Sequence, residues 1–254
     1  MTDTHSHLDG EEFKDDLEDV ILRAKETGIA KILVPNVNLD TLPRVIEICN
    51  THKEYLYPMI GLHPEDVKAD YISILDRMYD QRDAATFVGV GEVGLDFYWD
   101  DTYRKEQIDA YERQICWAVE MRLPLMIHAR KAHNELVEII KRHKNDGLTG
   151  VFHCFTGSRE MAKDLLQFEG FMLGIGGVLT FKNSKLGEVL RETVPLSRIV
   201  LETDSPYMAP VPHRGTRNES AYIKDITCQL ADIYGVSNKE ISLETDKNAN
   251  IFSL

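Results

Sequence analysis

The feature that most constrains the fold of this chain is a regular alternation of short apolar runs with amphipathic helical segments. Most of the runs are continuous stretches of β-branched and aliphatic residues, which is typical of parallel strands buried on both faces. The segments between them carry apolar residues at helical spacing. The eight predicted strands are Asp3–His7, Lys31–Pro35, Leu56–Leu62, Thr86–Val93, Leu123–His128, Gly150–Phe155, Phe171–Val178 and Ile199–Thr203.

Eight strand–helix units in 254 residues predict a closed (β/α)8 TIM barrel of the α/β class. A doubly wound open sheet is the alternative, but no glycine-rich dinucleotide fingerprint follows an early strand. No linker or change of composition divides the chain, so we predict a single domain, 1–254. The predicted helices are Glu11–Thr27, Asp40–Thr51, Glu65–Arg82, Tyr103–Met121, Lys131–His143, Arg159–Phe168, Lys185–Thr193, Glu219–Tyr234 and a short last helix, Asn248–Ser253.

Charge and cysteine content restrict the class of function. A formal net charge of −13 argues against a broad basic surface for nucleic acid. Bound metal ions and a few arginines can still make one cleft locally positive. The four cysteines form no C-x-x-C pair, and no secretory signal or long apolar run is visible. We therefore expect reduced thiols, a cytoplasmic location, no membrane association, no obligate protein partner and a monomer.

Histidines and carboxylates collect at the predicted carboxyl ends of the strands, where barrel active sites form. Five of the nine histidines are there. Imidazole nitrogen and carboxylate oxygen together suit zinc and manganese, and carboxylates also suit magnesium. A carboxylate after an apolar run is costly to bury unless a cation compensates it. The strand-end residues include the candidate ligands His5, His7, Glu92, His128, His153 and Asp204, together with His63.

The pair His5 and His7 comes first in the chain. Because side chains alternate along an extended segment, both imidazoles point to one face and can converge on one ion. An H-x-H spacing also arises by chance, and any one strand-end histidine can be an ordinary hydrogen-bonded core residue. His63, which precedes a proline, can simply cap a turn. The convergence of the whole set at one end of a barrel favours a metal site.

Seven motifs in order give the chain a resemblance to a known family. It resembles the TatD family of metal-dependent deoxyribonucleases, within the amidohydrolase-type TIM barrel superfamily. The motifs are DTHSHLD at 3–9, GLHP at 61–64, GEVGLDFY at 91–98, IHAR at 127–130, HCFTGS at 153–158, LETDSPYMAP at 201–210 and RGTRNE at 214–219.

The resemblance implies a dinuclear site bridged by Glu92. One of two divalent ions (zinc, manganese or magnesium) would be held by His5, His7, Glu92 and Asp204, and the other by Glu92, His128 and His153. It also implies 3′–5′ exonuclease cleavage of DNA phosphodiester bonds by a metal-activated water, with single-stranded or frayed ends as substrate. Glu202 shares the face of Asp204 and is predicted, like Asp96, to be an outer partner that orients a ligand.

The predicted catalytic residues are Glu92, Asp204 and His63. Asp204 is expected to accept the proton of the attacking water, and His63 to bind a phosphate oxygen or protonate the leaving group. Arg214 is a candidate phosphate fork or else a solvated loop charge. Arg130 can act similarly or pair with a carboxylate such as Glu92.

Aromatic residues past the strand ends offer a further substrate contact. Phe155, Phe97, Tyr98 and Trp99 are expected either to stack on a base or to pack within loops. Two other functions remain open. One is a dinuclear barrel hydrolase acting on a small amide, lactone or phosphoester. The other is an interaction module with a structural metal, which the number of strand-end ligands disfavours because structural zinc sites are closed by four ligands.

Overall fold

The computed structural model describes residues 1–254 and forms one eight-stranded parallel sheet in the order β1 to β8. The strands are β1 Thr2–Asp3, β2 Lys31–Val34, β3 Leu56–Ile60, β4 Gly89–Asp96, β5 Leu125–Arg130, β6 Gly150–Phe152, β7 Phe171–Ile175 and β8 Ile199–Leu201. The helices are α1 Leu17–Glu26, α2 Leu42–Thr51, α3 Tyr71–Tyr79, α4 Arg104–Met121, α5 His133–Arg142, α6 Arg159–Leu166, α7 Leu186–Thr193, α8 Ile223–Tyr234 and α9 Asn238–Ala249. The predicted barrel architecture is confirmed.

Hydrogen bonds between the segments that follow β8 and β1 close the ring. The Thr4 N–H donates to the Leu201 carbonyl at 3.0 Å, and the His7 N–H donates to the Ser205 carbonyl at 2.8 Å. On the other side, the Ser6 N–H donates to the Leu33 carbonyl of β2 at 3.1 Å. The predicted strand Asp3–His7 is therefore regular only at its start, although its chain remains bonded to both neighbours as far as His7.

The barrel interior contains inward side chains from alternate strand positions. Leu33, Met59, Met126, Val151 and Val200 belong to one buried cluster, which Ala249 and Phe252 of the C-terminus complete. The residues on either side of them in each strand face the helices. Two residues after the inward residues Met126, Val151 and Val200, the chain reaches His128, His153 and Glu202. By the alternation of side chains, these three also face the barrel interior.

Four predicted helices differ from the structure. Glu65–Arg82 is divided into the 3₁₀ turn Pro64–Asp66, where His63 accepts the Glu65 N–H, and the shorter α3. Glu219–Tyr234 starts with the 3₁₀ turn Ser220–Tyr222 before α8. Glu11–Thr27 is divided into a 3₁₀ turn, Glu11–Phe13, and α1. The guanidinium of Arg217 bonds to the Glu12 carbonyl and to both carboxylate oxygens of Asp16, which holds the chain in a turn before α1.

The predicted last helix, Asn248–Ser253, is wrong in extent: α9 begins ten residues earlier, and only the 3₁₀ turn Asn250–Phe252 follows it. Much of its buried face is polar, and the Asn248 amide donates to the Leu196 and Ile199 carbonyls at 2.9 and 2.7 Å. The signal in the sequence was the capping box between Ser237 and Glu240. None of the helices has the length and apolarity to cross a bilayer.

Candidate metal centre

Glu92 lies at the middle of the candidate site, on the inside of β4. Its carboxylate is buried, and each of its oxygens faces a different group of histidines. Oε2 is 3.2 Å from Nε2 of His5 and 3.4 Å from Nε2 of His7. Oε1 is 2.9 Å from His128 Nδ1, 2.9 Å from His153 Nε2 and 3.4 Å from His63 Nε2. One carboxylate thus separates two sets of nitrogen donors.

The Oε2 side consists of His5, His7 and Asp204. The two Nε2 atoms face each other at 3.1 Å, and Asp204 Oδ1 lies 3.7 Å from each. The alternation predicted for the H-x-H segment is therefore observed. Two imidazole lone pairs that converge at this distance repel unless a proton or a cation lies between them, and a divalent ion removes this repulsion.

The Oε1 side consists of His63, His128 and His153, which arrive from three different strands. His128 is held by a second carboxylate: Asp96 Oδ2 lies 2.9 Å from its Nε2, which leaves Nδ1 directed at Glu92. Asp96 also accepts the Tyr98 N–H at 2.8 Å through Oδ1. An outer carboxylate of this kind sets the tautomer and orientation of a metal-binding imidazole.

Glu202 lies behind His153. Its Oε1 accepts the Cys154 N–H at 2.5 Å and is 3.6 Å from His153 Nδ1, which is beyond hydrogen-bond length. A Cβ on Gly174 would stand 2.1 Å from Glu202 Oε2, so only glycine leaves room for this buried carboxylate.

Asp3 is a buried site residue that the sequence reasoning missed. Its Oδ1 accepts the N–H groups of Thr203 and His5 at 3.0 and 3.3 Å, and its Oδ2 accepts the Thr203 hydroxyl at 2.7 Å. It therefore ties the segment that carries His5 and His7 to the segment that carries Asp204. The signal was its position, two residues before His5 on the same face of the strand.

The electrostatics of the cluster favour an anionic bridge. Burial raises the pKa of the Glu92 carboxyl, but the charges of His153, His63 and His5 outweigh burial and hold this pKa well below its usual range. Burial, opposed by His153 and His7, raises the pKa of Asp204 to about 6. Burial and the charge of His153 lower the pKa of the His5 imidazole.

The donor set fits divalent cations. The facing atoms are imidazole nitrogens and carboxylate oxygens only, and three triads have ligand atoms within 4.8 Å of one another. Further buried atoms lack any hydrogen-bond partner, namely Nδ1 of His5, His7 and His153 and Oε2 of Glu202. Burying this many unpaired polar groups is costly, and cation coordination at the facing atoms offsets that cost.

The predicted substrate contacts have mixed outcomes. Arg130 does not pair with Glu92, because its guanidinium lies over the Tyr98 ring, 3.9 Å from the centroid. Arg214 is exposed and lies over the Phe181 ring at 3.9 Å. Phe155 is buried in the core, so the structure removes it as a stacking surface.

Tyr207 is a contact that the sequence reasoning did not identify. Its ring meets His7 edge-on, 6.3 Å between centroids, and it is exposed at the mouth beside the Oε2 side. An exposed aromatic residue directly after the Asp204–Pro206 turn was the available signal.

The chain matches known proteins over nearly its whole length. Residues 2–252 match the family model described as TatD related DNase. An uncharacterized metal-dependent hydrolase, YabD of Bacillus subtilis, is 36% identical and is aligned over 98% of this chain and 97% of its own length.

Two further relatives have more specific descriptions. The 3′-5′ ssDNA/RNA exonuclease TatD of Pectobacterium atrosepticum is 30% identical over 98% of this chain and 97% of its own. The crystal structure of YjjV, a TatD homolog from Escherichia coli, is 30% identical, with a TM-score of 0.89 over 99% of this chain and 97% of that one. The chain therefore belongs to the TatD-related DNase family.

Proposed function

We propose that the protein is a divalent-metal-dependent exodeoxyribonuclease that removes nucleotides from the 3′ end of single-stranded or frayed DNA. The observation that carries the proposal is the Glu92 carboxylate, whose two oxygens face two separate sets of imidazole nitrogens. Family membership supports hydrolysis of phosphodiester bonds. Similarity to the 3′-5′ ssDNA/RNA exonuclease of Pectobacterium supports the 3′–5′ polarity and adds RNA as a substrate class to test.

Two ions are assigned to the two sides of Glu92. His5, His7, Asp204 and Glu92 Oε2 would hold the first, and His128, His153 and Glu92 Oε1 the second. When bound, the ions supply positive charge against the phosphate and lower the pKa of a water molecule, with zinc, manganese or magnesium as candidates.

The role of His63 follows from its tautomer. The Glu65 N–H donates to His63 Nδ1 at 3.2 Å, so in the neutral ring the proton is on Nε2. An Nε2–H group cannot offer a lone pair to a cation. It can donate to a non-bridging phosphate oxygen or to the leaving sugar oxygen, and we assign His63 this role rather than that of a ligand.

Asp204 is assigned the role of general base. Its side chain is 16% exposed whereas that of Glu92 is 3% exposed, so Asp204 is open to the mouth of the barrel and to a water molecule there. It would accept the proton of the water that attacks phosphorus, while Glu92 remains buried and holds the two sides together.

The test begins with protein stripped by a chelator and reloaded with zinc, manganese or magnesium. We expect a 5′-labelled single strand to give a ladder that shortens from the 3′ end, a blunt duplex to react slowly and the stripped protein to be inactive. Matched RNA, a lactone and an acyl amide are assayed in parallel. Hydrolysis of the lactone or amide with intact DNA under every metal would refute the nuclease assignment in favour of the small-substrate hydrolase.

A further inference from the structure

An exposed aromatic pair lies just outside the metal centre, in the loop after β4. Trp99 is 68% exposed and Tyr98 is 43% exposed, and Trp99 exposes a larger fraction of its surface than any other large apolar side chain of the protein. The two rings pack edge to face, with centroids 4.7 Å apart. Large apolar side chains exposed together need a reason, and ligand binding is a common one.

Two cations accompany these rings. The Arg130 guanidinium is 3.9 Å from the Tyr98 centroid and 5.0 Å from that of Trp99, and Lys131 Nζ is 4.8 Å from Tyr98. Neither cation forms a salt bridge, although the chain has a net charge of −13. The adjacent Asp100 pairs with neither cation, and its Oδ1 accepts the Thr102 N–H and hydroxyl at 2.9 and 2.6 Å.

One carboxylate connects this group to the metal centre. Asp96 accepts the Tyr98 N–H through Oδ1 and bonds His128 Nε2 through Oδ2. Arg130 lies two residues after His128 on β5, on the same face and about 7 Å farther along the strand at ~3.3 Å per residue. The rings and cations are therefore within reach of the nucleotide that adjoins a phosphate bound at the centre.

We propose that Tyr98, Trp99, Arg130 and Lys131 form a stacking platform for one unpaired nucleobase of a single-stranded nucleic acid; this inference rests on the proposed nuclease function. The Arg130 guanidinium covers a face of the Tyr98 ring, so the exposed Trp99 ring carries the base. Arg130 and Lys131 contact the phosphates on either side of that nucleotide. Stacking on aromatic faces beside cations is how single strands are bound without sequence preference.

Trp99 fluorescence tests the platform directly, and chelator keeps DNA intact during the measurement. The only other tryptophan, Trp117, is buried, so W117F leaves Trp99 as the sole reporter. We expect an oligothymidylate to quench this emission, and a strand of equal length with abasic residues to bind about 10-fold more weakly with little quenching. W99F retains only Trp117 and is expected to show no quenching. If W117F does not fold, the quenching of the wild type is compared with that of W99F, and the difference is the signal of Trp99.

Two results would overturn the platform. Equal quenching by the abasic strand would show that bases are not recognised. A change produced by anionic phosphatidylserine vesicles but not by oligothymidylate would assign the surface to a membrane instead.

Kinetics separate failure of the platform from failure of the proposed function. We expect W99A to lower the ratio of kcat/KM for a single strand to kcat/KM for a base-free chromogenic phosphodiester about 10-fold. L243A, which removes a side chain 61% exposed on α9, should leave this ratio unchanged. An unchanged ratio in W99A refutes the platform. If the wild type hydrolyses no DNA but still shows base-dependent quenching, the proposed nuclease function is refuted and the platform remains as a binding site.

Discussion

The two sides of Glu92 both present imidazole nitrogens to its carboxylate but are built differently. On the Oε2 side, His5 and His7 come from one segment, and Asp204 comes from the segment hydrogen-bonded to it. On the Oε1 side, His128 lies on β5 and His153 directly follows the neighbouring β6, and the His153 N–H donates to the Ile127 carbonyl at 3.0 Å.

The supports of the two sides differ accordingly. Backbone hydrogen bonds and the buried Asp3 hold the Oε2 side, where the Nδ1 atoms of His5 and His7 bond to nothing. On the Oε1 side, the Asp96 carboxylate holds His128 by a side-chain bond. A ligand fixed by its own backbone depends little on outer partners, whereas a ligand fixed by one carboxylate depends on that carboxylate. Apart from Asp3, the first side should therefore tolerate changes to outer side chains, and the second should not tolerate a change at Asp96.

Replacing Glu92, which both sides share, should have the largest effect on metal binding and activity. E92Q removes the negative charge that faces both sets of imidazoles. We expect loss of metal from both sides and a fall in kcat of more than ~1000-fold, beyond the ~10–100-fold typical of an outer partner. Metal analysis and DNA cleavage measure this. E138Q, at a glutamate exposed on α5, is the control, and two ions retained in active E92Q would contradict the bridge.

Removing one ligand from each side tests whether the sides are independent. We expect H7A and H128A each to retain about one ion per chain and to lose more than ~100-fold in activity, since two ions act together on one phosphate. Elemental analysis of protein dialysed at limiting metal gives the stoichiometry. If either variant loses both ions, the sides do not bind separately.

D96N tests whether the Oε1 side depends on an outer carboxylate more than the Oε2 side does. The amide can no longer hold His128 as a charged acceptor, so we expect ~10–100-fold weaker binding of one ion and an unchanged affinity for the other. Calorimetric titration with metal measures the two affinities separately. D100N, in the loop that follows Asp96 and bonded only to Thr102, is the matched control. Equal weakening of both ions would remove the distinction between the sides.

We expect the smallest effect on activity from Arg214, which lies outside both sides of Glu92. R214A should raise KM for long single strands about 3- to 10-fold and leave the metal content unchanged, because Arg214 contacts Phe181 rather than any ligand. Steady-state kinetics at two salt concentrations measure this. R191A, at an exposed arginine of α7, controls for net charge, and an unchanged KM would take Arg214 out of the site.

Local patterns in the sequence determined the barrel and the collection of candidate ligands at one end of it. Continuous apolar runs separated by amphipathic helices are sufficient to predict eight parallel strands. Residues at strand ends are then neighbours whatever their separation in the chain. For this reason the sequence alone predicts that Glu92, His128 and His153 are neighbours. The His5 and His7 pair needed only the period of two along an extended chain.

Only the tertiary structure decided what each side chain faces. It divided the oxygens of Glu92 between two sides, directed Asp96 to His128 and placed Asp3 against Thr203. It also buried Phe155 and left Trp99 exposed, although both follow a strand end. The apolar pattern did not predict α9, because much of its buried face is polar and Asn248 on that face bonds to carbonyls of a distant segment. Periodicity reports which face of an element is apolar, but the partner across a contact depends on the packing of distant segments.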